Sequence, residues 1–151
     1  EPIYREPLQE SLITTLLNKY YHPYHARLTD LAKRHLLFGI DCHTMAAEAP
    51  PISANAGSMR PEICLGNLYG RSLPEAWTDV LHQSFLAAFP GVDVTINDPF
   101  AGGYITRTHS RELPWLQLEL SRSQFLSCRS SQQRIIQALH WASDELDRKL
   151  T

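Results

Sequence analysis

The sequence predicts an α/β fold, one domain over residues 1–151 in which a sheet is flanked by helices. Three observations carry this. A continuous apolar run, Leu36-Leu37-Phe38-Gly39-Ile40, ends in Asp41-Cys42-His43 and reads as a buried strand. The β-branched residues 92–96 and the strict alternation over residues 115–121 read as two more strands. Between these strands lie stretches with apolar residues at helical spacing, and strands alternating with helices are the pattern of an α/β sandwich.

Composition sets the outer bounds. A chain of 151 residues, 43% hydrophobic and 20% charged, can bury one core, and the composition is ordinary for a soluble domain. The net charge is −2 and the basic residues are dispersed, so neither nucleic acid nor an anionic membrane is the expected partner. No apolar run approaches the roughly 20 residues that span a bilayer. The three cysteines, Cys42, Cys64 and Cys128, form no CxxC pair, which fits reduced thiols and a cytoplasmic setting. The chain opens at Glu1-Pro2 without a methionine, which suggests a fragment or a processed product.

In chain order, residues 7–36 carry Leu8, Leu12, Leu16, Leu17, Leu28, Leu31 and Ala32 at helical spacing. Pro23 interrupts them, so two helices or one bent helix is expected. The cluster Tyr20-Tyr21-His22-Pro23-Tyr24-His25 lies at that bend, its rings expected to pack the helix against the sheet. After the first strand, residues 44–59 are rich in Ala, Pro, Ser and Gly and read as a long irregular loop. Residues 61–66 form a short second strand. Pro74-Glu75 opens a helix that Pro90-Gly91 stops. The third strand, residues 92–96, leads into Asn97-Asp98-Pro99-Phe100-Ala101-Gly102-Gly103-Tyr104, where the glycines permit a sharp turn or a close backbone approach. A fourth strand follows over residues 115–121, and Ser130 or Ser131 caps a final amphipathic helix.

Two stretches carry chemistry. Asp41 and His43 are two residues apart, so on a strand they share a face while Cys42 points the other way. Such a histidine can offer one ring nitrogen to a metal while the carboxylate orients it from behind. In Leu116-Gln117-Leu118-Glu119-Leu120-Ser121, the leucines define one face and Gln117, Glu119 and Ser121 the other. Sheets of α/β domains usually have both faces covered, so Glu119 would need a partner or a task, and a partly desolvated Glu beside a metal is suited to moving protons. His43 and Glu119 are therefore a candidate pair of metal ligand and general base. His109-Ser110-Arg111-Glu112 also has ligand-like spacing, and reads as coincidence.

Taken in order, Asp41-Cys42-His43-Thr44-Met45, the turn over residues 97–104 and Leu116-Gln117-Leu118-Glu119-Leu120-Ser121-Arg122 resemble the N-formylglutamate amidohydrolases. Tyr21-His22-Pro23-Tyr24-His25 resembles the helix before the first of these elements. The resemblance implies a zinc-carboxypeptidase-like sandwich with a mixed sheet flanked by helices, its N-terminal part missing here. It implies hydrolysis of N-formyl-L-glutamate to formate and glutamate, a late step in one route of histidine breakdown. It also implies a Zn2+ cofactor, with His43 as one metal ligand and Glu119 as the base. Two further ligands would come from upstream, where nothing before His43 matches, so this chain alone would bind zinc poorly. Arg107 and Arg122 are placed like residues that hold substrate carboxylates, and Asn97 and Gly103 join them as substrate-binding candidates. Two alternatives stand beside this reading. One is a non-catalytic domain of the same fold that binds a small acid or a protein partner. The other is a zinc hydrolase of a different N-acyl amino acid.

Overall fold

The computed structural model describes residues 6–150. These residues fall into two compact units that divide after Leu36.

The first unit is a helical run, α1 (Glu10–Leu16) and α2 (His22–Ala32), joined through Leu17–Tyr21 without a break. Pro23 stands in the first turn of α2. The joining turn is wider than an α-helix, the His22 amide donating to the Leu17 carbonyl five residues back. A widened turn of this kind accommodates a proline ring that would clash in a regular helix. The rings of the Tyr-His cluster meet one another, Tyr21 and His25 with centroids 4.2 Å apart, while Tyr20 and Tyr24 remain exposed.

The second unit holds the sheet. Its strands are β1 (Gly39–Met45), β2 (Ile63–Gly66), β3 (Val94–Ile96) and β4 (Trp115–Ser121), in the spatial order β1-β4-β2-β3. β1 runs parallel to β4 and β2 parallel to β3, while β2 and β4 are antiparallel, so the sheet is mixed. The first strand starts at Gly39, later than the apolar run suggests, so Asp41 and His43 lie within it rather than at its end. The third begins at Val94.

One sheet face is apolar. Ile63, Leu65, Val94, Leu116 and Leu118 form a single core with Leu81, Phe85 and Ala88 of α3 (Glu75–Ala88) and with Ile135, Ala138 and Ala142 of α6 (Arg129–Leu150). Burying a side chain of this size contributes about 1.5–3 kcal/mol. Two short helices escape the sequence reading: α4 (Tyr104–His109), after the glycine pair, and α5 (Gln124–Ser127), before α6. Both are too brief to show a helical period. The loop after β1 is also less irregular than its composition suggests. It folds back on itself, Ala49 donating to the Ser58 carbonyl at 2.9 Å and Arg60 to that of Ala47 at 2.9 Å, with a bridge between Glu48 and Met59. No helix of the described residues is long and apolar enough to cross a membrane.

Cys128 sits just before α6, its sulfur 2.9 Å from the Ser130 hydroxyl. That hydroxyl and the backbone amides of Ser131 and Ser130 lower its thiol pKa to about 7, whereas burial raises those of Cys42 and Cys64. A thiolate at a helix start is stabilised by such donors. Alkylation of Cys128 by iodoacetamide is therefore expected to rise with pH around a midpoint near 7. The S130A variant should move that midpoint upward, which mass spectrometry of labelled peptides would read.

Candidate active site

The second face of the sheet is polar. The register pairs Asp41 with Gln117 and His43 with Glu119 across β1 and β4. It pairs Cys64 with Glu119 across β2 and β4, and Cys64 with Thr95 across β2 and β3. Directly opposite residues share a face, so His43, Glu119, Cys64 and Thr95 form one row across the sheet, beside a second row of Asp41, Gln117 and Gly66. The imidazole and the carboxylate singled out from sequence are thus neighbours on the same side, on strands about 4.8 Å apart.

The segment after β3 roofs part of this face. The Asn97 amide donates to the Leu65 carbonyl at 2.9 Å, and the Ala101 carbonyl accepts from the Leu68 amide at 2.7 Å. Gly66 makes room for this crossing, since a Cβ there would lie 2.8 Å from the Ala101 carbonyl group. The Cys64 thiol donates to the Phe100 carbonyl at 3.3 Å. Gly103 completes the roof over β4, where a Cβ would stand 2.7 Å from Gln117 Oε1. β1 lies at the edge of the sheet. Accordingly the Glu119 residue is 6% exposed, while the side chains of Asp41 and His43 are 16% and 47% exposed.

This gradient sets the electrostatics. Burial raises the pKa of Glu119 above the ordinary carboxylate range. Opposing that shift are the imidazole of His43, a hydrogen bond from Gln117 Nε2 to Glu119 Oε1 at 2.9 Å, and the Arg60 guanidinium. Arg60 stands over the Phe100 ring, 5.0 Å from its centroid. His43 Nε2 lies 3.0 Å from Asp41 Oδ2. With that nitrogen donating its proton to Asp41, Nδ1 carries the free lone pair, the arrangement in which a carboxylate orients a metal-ligating histidine.

A metal ion is implied by the resemblance, and the residues present do not complete a site for it. No group of three or more His, Cys, Asp or Glu among the described residues could hold one, whereas a catalytic zinc takes three protein ligands and keeps one open position. His43 has the chemistry of a ligand but lacks companions. The His109-x-x-Glu112 spacing does not supply them, because His109 Nδ1 and Glu112 Oε2 are bonded to each other at 2.8 Å and His109 is buried.

A family model described as N-formylglutamate amidohydrolase matches residues 1–126. The chain belongs to that family. Solved structures agree on the fold. The crystal structure of N-formylglutamate amidohydrolase from Ralstonia eutropha JMP134 superposes with a TM-score of 0.72 at 20% identity, covering 99% of this chain and 59% of that one. A gene product of Agrobacterium tumefaciens gives 0.61 at 16% identity, covering 95% of this chain and 57% of that one. The chain thus spans less than two thirds of the length of either structure. No curated protein matches the sequence.

The remaining residues singled out from the family motifs are dispersed. Arg122 follows the end of β4, its guanidinium reaching the Thr44 carbonyl and hydroxyl at 3.4 Å each, next in sequence to His43. Asn97 is engaged with Asn67: its Oδ1 accepts from the Asn67 amide at 3.0 Å and its Nδ2 donates to Asn67 Oδ1 at 2.8 Å. Arg107 lines a separate pocket of about 350 Å3 with Leu68, Arg71, Ser110 and Arg111. The motif reading omitted Gln117 and Arg60. Gln117 was recoverable, since alternation places it on the face of Glu119; Arg60 sits at the end of a loop whose path the sequence does not reveal.

Proposed function

We propose that this chain forms the catalytic face of an amidohydrolase that cleaves N-formyl-L-glutamate to formate and L-glutamate. The observation that supports it most directly is the pair of adjacent rows holding His43 with Glu119 and Asp41 with Gln117, a desolvated carboxylate beside an exposed, carboxylate-backed imidazole. Glu119 takes a proton from a water molecule as its oxygen attacks the formyl carbon. It then returns that proton to the glutamate nitrogen as the C–N bond breaks, leaving formate and a free amine. The raised pKa of Glu119 suits it to both transfers, since a base of very low pKa would bind the proton too weakly to accept it. Gln117 holds one carboxylate oxygen through its amide and so leaves the other for the water. Zn2+, bound through His43 Nδ1 with ligands beyond the described residues, would supply Lewis acidity at the formyl oxygen. Arg122 and Arg107 are the proposed partners of the substrate carboxylates, and Gly103 and Asn97 are the further candidates for substrate contact. A role in histidine degradation would follow from that substrate.

The test is formate release by the longest natural form of the protein, with and without added Zn2+. N-formyl-L-glutamate should exceed N-formyl-L-alanine in kcat/KM by about tenfold or more, because each lost charge-assisted hydrogen bond costs about 1.5–3 kcal/mol. Equal rates would move the reading to another N-acyl amino acid. No turnover with a saturated metal site would favour a second reading, a non-catalytic domain of the same fold, which the incomplete donor set supports.

A further inference from the structure

We propose that Arg71, Arg107 and Arg111 form a binding site for a small doubly charged oxyanion. The three guanidiniums come from different parts of the chain. Arg71 lies in the loop between β2 and α3, Arg107 in the last turn of α4, and Arg111 just beyond it. They line one pocket of about 350 Å3 together with Leu68 and Ser110, and no carboxylate among the described residues lines it. None of the three takes part in an ion pair among those residues.

Arg71 is held in place. Its Nε donates to the Leu68 carbonyl at 2.9 Å and its backbone amide to the same oxygen at 3.3 Å. The guanidinium plane is thereby fixed through Nε, and its two terminal amino groups stay available. The loop that does this adopts a costly path, with Leu68 at φ 52° and Tyr69 at φ 56°, a left-handed conformation that non-glycine residues rarely take. Such strain persists where the surroundings impose it, and ligand clamps are a common setting.

All three residues are exposed, so solvent weakens their mutual repulsion without removing it. Arg107 and Arg111 are four residues apart and repel, and Arg71 adds a third like charge. A cation in the last turn of a helix is favourable by itself, which accounts for Arg107 alone. It does not account for Arg71, which belongs to another element. A dianion between them adds an attraction to each guanidinium that offsets their mutual repulsion, and its oxygens match the planar fork of a guanidinium. Phosphate and small dicarboxylic acids share this chemistry. The site shares Arg107 with the hydrolase reading but does not rest on it, because binding is measured without turnover.

Isothermal titration of the protein with inorganic phosphate and with glutarate, at ionic strength held constant with chloride, tests the proposal. Saturable binding is expected for at least one of them. R71Q and R111Q should each weaken it about tenfold or more, and E119Q should leave it unchanged. Binding of phosphate alone would identify the source as free phosphate, and binding of glutarate alone as a carboxylic acid. Affinity no greater than for matched chloride, or affinity that survives the R71Q/R111Q double replacement, would overturn it. If those variants lose their circular dichroism signal, R71K and R111K serve instead. They keep the charge and lose the fork, and unchanged affinity in both would overturn the proposal equally.

Discussion

Replacing Glu119 by glutamine is expected to lower kcat for N-formyl-L-glutamate hydrolysis by about two to four orders of magnitude, the usual worth of a positioned general base. The change is nearly isosteric. The new amide oxygen can still accept the bond now made by Gln117 Nε2 at 2.9 Å, and the roof formed by residues 97–103 has no reason to move. Fold and melting temperature should therefore stay close to the parent protein, as should metal content, since Glu119 is assigned proton transfer rather than ligation. What the amide cannot do is hold a proton between the attacking water and the leaving nitrogen. The measurement is formate release together with circular dichroism and metal analysis. A kcat within tenfold of the parent would remove Glu119 from the role of base and return it to the structural role of a buried, hydrogen-bonded carboxylate.

The second large effect is expected from His43→Ala. With its side chain 47% exposed on the edge strand, His43 contributes little to the core, so the variant should fold. It removes the only imidazole in the polar rows and leaves Asp41 without its 3.0 Å partner. Metal content and formate release should fall together, the former to a small fraction of stoichiometry and the latter to background. Because His43 also lowers the pKa of Glu119, its loss should raise that pKa further, so that the carboxylate forms only at higher pH. Full metal occupancy with retained turnover in this variant would detach His43 from the chemistry altogether. Comparing the two variants separates the roles, since E119Q should keep the metal and H43A should not.

Much of this site was legible in the chain because a strand has a period of two. Asp41 and His43, and likewise Gln117 and Glu119, are spaced so that any strand conformation puts each pair on one face, and both pairs fall in strands. The covered state of the second face was also foreseeable. Gln117, Glu119 and Ser121 are all buried, as the rule that α/β sheets are covered on both sides suggests. The boundaries were less so. The apolar residues before Gly39 extend the hydrophobic run past the true start of β1, because burial and strand pairing need not end at the same residue. Pro23 was expected to divide two helices or bend one, and it stands in the first turn of α2, reached from α1 through one widened turn.

By itself the sequence determined the strand faces, the α/β class and the family motifs, all of them local patterns that neighbouring residues enforce. Only the tertiary structure decided which strands are neighbours, and with that, that His43 stands opposite Glu119 rather than two strands away. It alone brought the residue 97–103 roof onto Gly66 and Gln117, which desolvates Glu119, and carried Arg60 to where its charge is felt there. The reason is physical. Strand order and loop paths are settled by contacts between residues tens of positions apart, and no local periodicity records them.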